Sequence, residues 1–386
     1  MKKAFIFLVF IALAQFVQAA VGFRNETFVD ASRNNRSIAL TVYYPSSTGG
    51  QDAAVGENAA SKYPVIVIGH GFTMTAANYK VFADTLVPLG YIVAVANTET
   101  GFAPSHGNFG LDLKFIKDFL QAQNMVAASP YFSKISQNSA VLGHSMGGGC
   151  SFLAAQGNSG FTTICNFAPA ETNPSATAAA ALVSIPLLLF SGTNDCVVPP
   201  ANSKPMYDAV PANVCKYRIV INNGTHCNFS TGASFCTLGE ANCAATIPAL
   251  QQLTTVFSLL KPWCAFHLKG ESAAWNVFQT TATAQNGFTE QHTCTITSTD
   301  ENSIFSDVKT TPNPTSGFFS VNLSMSQSFK NITLDVFNSQ GIFIFSKKID
   351  SQNTELDLSN QSNGIYFLRF FDDKKLFYTN KILLIK

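Results

Sequence analysis

Ser145 stands in Gly143-His144-Ser145-Met146-Gly147, between the apolar run Ser139-Ala140-Val141-Leu142 and a glycine- and alanine-rich stretch of helical character, residues 148–156. Strand, G-x-S-x-G, helix is the pattern that lifts a serine hydroxyl out of a sheet towards a substrate. Its glycines are needed because the turn leaves no room for β-carbons two residues either side of the serine. A hydroxyl is a weak nucleophile until a neighbouring base takes its proton. The chemistry to expect is acyl transfer, which also needs a carboxylate to orient the base and two amide donors for the oxyanion.

On such a sheet the acid follows the nucleophile in the chain and the histidine follows the acid. Three histidines lie beyond Ser145: His226, His267 and His292. The last two fall after the predicted closing helix, 247–260. His226 lies in Asn222-Asn223-Gly224-Thr225-His226, just past an apolar strand ending at Ile221, where a base belongs. Between Ser145 and His226 there are three carboxylates, Glu171, Asp195 and Asp208. Asp195 follows the apolar run 185–190, in Ser191-Gly192-Thr193-Asn194-Asp195, whereas Asp208 falls in a predicted helix, 203–210. Asp195 is therefore the expected acid, with Glu171 as fallback and otherwise a rim residue. The expected oxyanion donors are the backbone N–H of Met146 and that of Phe72, in the loop Gly69-His70-Gly71-Phe72 after the strand 65–68. The Phe72 ring would wall the acyl pocket. His70 precedes the nucleophile and reads as a structural loop residue.

The elements that must hold these groups alternate. Residues 37–44 read as an edge strand ending at Pro45, and 65–68 and 91–96 as strands buried on both faces. Helical spacing marks 76–89 and 111–123, and further strands fall near 162–167, 185–191 and 217–221. This is an α/β chain with a mostly parallel sheet flanked by helices, the α/β-hydrolase class. After a turn-rich linker at 300–316, short alternating segments predict a small C-terminal all-β sandwich over 317–386, without histidine or cysteine and so without expected chemistry. The hydrolase domain is placed at 20–299.

The chain has 386 residues, 46% hydrophobic and only 12% charged, with net charge +1. No basic run suggests a nucleic-acid partner. Lys2, Lys3 and the apolar stretch 4–17 read as a signal peptide cleaved after Ala19, so export is expected and no membrane span in the mature protein. Nine cysteines fit an oxidising compartment. Cys196 and Cys227 directly follow Asp195 and His226, which makes them one candidate pair, with Cys236–Cys243 and Cys264–Cys294 as others; spacing does not fix the connectivity, and an odd count leaves one thiol over. Zinc at Cys227, Cys236 and Cys243 is the rival reading, disfavoured by spacing.

The stretch from Thr41-Val42-Tyr43-Tyr44-Pro45 through Gly69-His70-Gly71-Phe72 to Gly143-His144-Ser145-Met146-Gly147-Gly148-Gly149 resembles secreted polyester hydrolases, the cutinase-like and poly(ethylene terephthalate) hydrolase-like enzymes of the dienelactone-hydrolase branch. The likeness continues through Asn194-Asp195 with Pro199 and Gly224-Thr225-His226, over about residues 25–265. It implies a triad of Ser145, Asp195 and His226, an oxyanion hole at Phe72 and Met146, and a cleft bordered by Phe72, Met146, Val197 and Ala170. It also implies a carboxylic-ester substrate and no cofactor; some members bind calcium at the surface, but no acidic cluster here suggests a metal, and a monomer is expected. Two departures stand out. His144 precedes the nucleophile where well-known members carry Trp, and Ala170 replaces an aromatic stacking residue. Pro312-Asn313-Pro314 with Gly317, Asn363-Gly364-Ile365-Tyr366 and the ending Lys381-Ile382-Leu383-Leu384-Ile385-Lys386 resemble a type IX secretion sorting domain of Bacteroidetes. That resemblance implies a partner in the type IX machinery and a secreted or outer-surface location.

Overall fold

A computed structural model describes residues 19–56, 62–241, 243, 247–294, 305–325, 332–339, 342–372 and 375–386. The expected signal peptide lies outside them save for Ala19. The chain forms two compact units, one ending at Thr295 and the other starting at Ile296.

The first unit is built on β1 (Ala20–Asp30), β2 (Arg36–Ser46), β3 (Gly50–Gln51), β4 (Tyr63–Gly69), α1 (Lys80–Leu86), β5 (Ile92–Ala96), α2 (His106–Gln123), β6 (Ile135–His144), α3 (Met146–Ala155) and β7 (Thr163–Phe167). It continues with α4 (Ala176–Ala180), β8 (Leu187–Gly192), α5 (Pro200–Ala209), β9 (Lys216–Ile221), α6 (Ser234–Gly239), α7 (Ala249–Lys269), α8 (Ser272–Ala284) and β10 (Phe288–Thr293). One ten-stranded sheet runs β10-β9-β8-β7-β6-β4-β5-β2-β1-β3. From β5 across to β9 all six strands are parallel, while β2, β1 and β10 pair antiparallel at the flanks. This is the α/β-hydrolase fold.

The central strands are buried on both faces, as their β-branched runs require. Side chains alternate: Val65 and Val67 join Phe109, Leu113, Phe152 and Met206 in one core under α2, α3 and α5. Ile66 and Ile68 are equally buried. On α1, Phe82 packs 5.0 Å from Phe167 and 5.1 Å from Phe257 of α7 (ring centroids).

Several elements differ from expectation. Residues 37–44 are no edge strand: β1 pairs β2 along its whole length and β5 covers its other side. The closing helix runs on through Pro262 to Lys269, so His267 lies inside α7 and His292 lies on β10 rather than beyond the last element. None of the expected disulfides forms. The bonds are Cys196–Cys243, Cys215–Cys294 and Cys227–Cys236, and Cys150, Cys165 and Cys264 remain buried thiols. Burial pushes the Cys150 and Cys264 thiols up to about 12, so they stay protonated.

The second unit comprises β11 (Phe305–Thr311), β12 (Phe318–Met325), β13 (Ile332–Asn338), β14 (Phe343–Ile349), β15 (Asn353–Asp357), β16 (Gly364–Asp372) and β17 (Lys375–Leu384). They form sheets β11-β12-β15 and β14-β13-β16-β17. Val321 and Leu356 of the first sheet share a core with Leu334, Leu368 and Leu384 of the second. Strand β11 occupies part of the segment expected as linker.

Candidate active site

The sheet reverses its strand order at β4, which has β5 on one side and β6 on the other. Loops leaving the carboxyl ends of strands at such a reversal open a crevice. Here they are the loop 69–72 after β4 and the turn after β6, with Gly69 opposite Gly143 in register.

Ser145 is the residue between β6 and α3, at φ 55°, ψ −121°. A non-glycine residue at positive φ is strained, and the surroundings explain why it is held there. A Cβ on Gly143 would collide with the Gly147 carbonyl and Ser151 Oγ, and one on Gly147 with the carbonyls of Gly69 and His70. The Ser145 N–H donates to Phe167 O at 3.0 Å, and its carbonyl accepts from Ala170 N at 2.9 Å. Helix α3 starts at Met146, so the Met146 amide is an unsatisfied first-turn donor. Neither Met146 N nor Phe72 N donates to an acceptor among the described residues.

His226 and Asp195 come from the loops after β9 and β8. Two backbone bonds tie these loops, Thr193 N to Ile221 O and Asn194 N to Gly224 O, both 2.9 Å. His226 Nδ1 lies 2.7 Å from Asp195 Oδ2. The other oxygen, Oδ1, accepts from Val197 N (2.9 Å) and Val198 N (2.7 Å). A disulfide follows each residue: Cys196–Cys243 and Cys227–Cys236.

The other candidates are engaged elsewhere. Asp208 pairs with Lys204 on the exposed face of α5. Glu171 accepts from Ala176 N (2.7 Å) and Thr177 Oγ1 (2.5 Å) at the start of α4. Burial acts to raise its pKa, but these bonds outweigh it and hold the carboxylate below its usual range. His70 is buried with its ring nitrogens 2.8 Å and 2.7 Å from the carbonyls of Gly71 and Thr98. His292 pairs with Glu290. Of the expected cleft residues, Phe72 and Val197 are exposed, Ala170 is half-buried and Met146 is buried.

Four residues that the sequence did not single out shape this region. Gln252 of α7 grips Thr225 from both sides: its Oε1 accepts from Thr225 N (2.9 Å) and its Nε2 donates to Thr225 O (2.8 Å). Tyr79 places its hydroxyl 2.8 Å from His144 Nδ1. Phe102 and Phe235, 77% and 50% exposed, join Phe72 in a triangle of rings with centroids 5.8–6.1 Å apart. The rings come from three separate loops or helices, so no periodicity announces them; Gln252 and Tyr79 look like ordinary helix residues.

The model of the family described as PET hydrolase-like matches residues 14–244. That of a secretion system C-terminal sorting domain matches residues 309–386. Among curated relatives, a bis(hydroxyethyl) terephthalate hydrolase of Streptomyces coelicolor is 26% identical over 52% of this chain and 58% of its own length. Cutinase est1 of Thermobifida alba is 25% identical over 48% and 57%, and a cutinase of Thermobifida fusca 25% over 48% and 56%. The chain thus spans little more than half the length of each relative.

Proposed function

The chain belongs to the PET hydrolase-like family, and on that premise we propose that it is a secreted serine hydrolase of carboxylic esters. The observation that carries the reading is the buried His226–Asp195 pair, 2.7 Å apart, with the His226 carbonyl 3.0 Å from Nε2 of His144, the residue before the strained serine.

In this reading His226 Nε2 takes the Ser145 proton as Oγ attacks the ester carbonyl. Asp195 keeps the imidazole in the tautomer that carries its proton on Nδ1 and stabilises the cation that forms. The tetrahedral oxyanion is received by the amides of Met146 and Phe72. His226 then gives its proton to the departing alcohol, leaving an acyl-serine. Water, deprotonated by the same histidine, releases the acid and restores Ser145.

The substrate proposed is an ester with an apolar chain, a polyester among them. The names of the relatives, cutinase and bis(hydroxyethyl) terephthalate hydrolase, support it. So does the exposed triangle of Phe72, Phe102 and Phe235, because large exposed apolar groups in one patch mark a binding surface. It offers aromatic area that Ala170 lacks. Hydrolysis of small soluble esters alone is the second reading, favoured by the missing ring at Ala170. Acid release from a polyester film compared with turnover of p-nitrophenyl butyrate separates them: film hydrolysis supports the first reading, and activity on the soluble ester alone the second. A non-catalytic binder would hydrolyse neither. The C-terminal unit, in the same proposal, directs export through the type IX machinery.

A further inference from the structure

The residue before the nucleophile is a buried histidine, and its two ring nitrogens are both used. His144 Nε2 lies 3.0 Å from the backbone carbonyl of His226, and Nδ1 lies 2.8 Å from Tyr79 Oη. A carbonyl can only accept, so Nε2 carries the proton. Burial holds the imidazole neutral, which leaves Nδ1 as an acceptor. Two acceptors face the Tyr79 hydroxyl, Nδ1 at 2.8 Å and Met74 Sδ at 3.0 Å; the thioether is the weaker acceptor, so Tyr79 donates its single proton to Nδ1, and burial keeps that phenol protonated. The Tyr79 oxygen in turn accepts from Gly71 N at 2.9 Å.

One proton arrangement therefore satisfies the whole chain: Gly71 N–H to Tyr79, Tyr79 O–H to His144, His144 Nε2–H to the His226 carbonyl. All three ends of this chain adjoin groups that the chemistry uses. Gly71 precedes Phe72, His144 precedes Ser145, and the last carbonyl belongs to His226 itself. The turn Ala76–Tyr79 that carries the phenol is also clamped to the loop beyond His226. Asn78 Nδ2 donates to Thr231 O and Thr231 N to Asn78 O, both at 2.9 Å.

We propose that Tyr79 is a positioning residue, whose hydroxyl sets the oxyanion loop, the serine turn and the histidine loop in fixed relation through His144. The inference rests on the ester-hydrolase reading. A misplacement of one donor or of the base by a fraction of an ångström lowers the rate of the chemical step while leaving substrate binding intact.

The test is steady-state hydrolysis of p-nitrophenyl butyrate by the full chain, with rates expressed per active site titrated by a p-nitrophenyl phosphonate. Tyr79→Phe keeps the ring and deletes the shared hydroxyl. His144→Gln keeps an N–H for the His226 carbonyl and breaks the link to Tyr79. Each is expected to lower kcat about tenfold, the rate equivalent of one net hydrogen bond, with KM within about twofold of wild type. Because both break one link from opposite ends, the double variant should be no slower than the slower single one. If one variant fails to fold, the other still reads the same link. A purely structural role would lower Tm and the titrated fraction and leave kcat per site unchanged; that result, or losses that multiply in the double variant, overturns the proposal. Wild-type protein without ester turnover would overturn the ester-hydrolase reading itself.

Discussion

His226 and Asp195 meet at 2.7 Å with side chains 2% and 0% exposed, and the second carboxylate oxygen is fixed by the amides of Val197 and Val198. The carboxylate cannot turn away from the imidazole without breaking two backbone bonds. Asp195→Asn preserves this shape but can hold the ring in the wrong tautomer. Its kcat for p-nitrophenyl butyrate is expected to fall by about 10⁴, with little change in KM. Glu171→Gln, at a carboxylate committed to the start of α4, should leave kcat within a few-fold. The reverse ranking would move the acid to Glu171.

The ring triangle predicts a substrate-dependent loss. An aromatic contact contributes about 0.5–1.5 kcal/mol beyond its buried area. Phe102→Ala or Phe235→Ala should therefore slow acid release from an aliphatic polyester film by about three- to tenfold. Turnover of p-nitrophenyl acetate, whose acyl group is too short to cover the rings, should fall far less. Equal losses on both substrates would remove the rings from substrate recognition.

Among the disulfides, Cys215–Cys294 joins residues 79 apart and Cys227–Cys236 residues 9 apart. Chain entropy assigns the long loop about 4.5 kcal/mol and the short one about 2–3 kcal/mol. The Cys215→Ser/Cys294→Ser pair should give the larger drop in urea-unfolding free energy and an unchanged kcat. Cys227→Ser/Cys236→Ser should cost less stability but more rate, because that bond directly follows His226. A kcat loss confined to the first pair would contradict this division.

His267 sits among Trp263, Phe266 and Trp275, with Nε2 lacking a partner among the described residues. Burial lowers its pKa to about 4, against about 6.5 in an unfolded chain. The depressed value means that the unfolded state takes up a proton the native state refuses. Stability is then full above about pH 6.5 and is lost as pH falls towards 4. His267→Phe should flatten part of this acid-side fall in Tm, measured between pH 7 and pH 4.5. His144, also held neutral by burial, and the Glu171 carboxylate, held below its usual range, contribute to the same acid-side fall. An unchanged slope would mean that His267 does not titrate differently on unfolding.

How much was legible depends on what each residue type signals. The turn at Ser145 is marked by its own glycines, since no β-carbon fits at positions 143 or 147. Asp195 and His226 follow apolar runs short enough to be buried strands, so their approach at the sheet's carboxyl edge follows from parallel topology. Alternating segments after residue 317 likewise announce the sandwich. Disulfide pairing did not follow, because adjacency in space between Cys196 and Cys243 has no trace in spacing. The closing helix, expected over 247–260, continues through Pro262 to Lys269, and β10 carries a single buried apolar residue, Phe288. Tyr79 is indistinguishable in sequence from a core aromatic; only the positions of His144 and Gly71 give its hydroxyl a task.

The central claim is that Ser145 is the nucleophile of an ester hydrolase. Ser145→Ala should fold with an unchanged circular dichroism spectrum and Tm, and lose p-nitrophenyl butyrate hydrolysis by about 10⁶ in kcat. Turnover comparable to wild type in the folded variant would contradict the account.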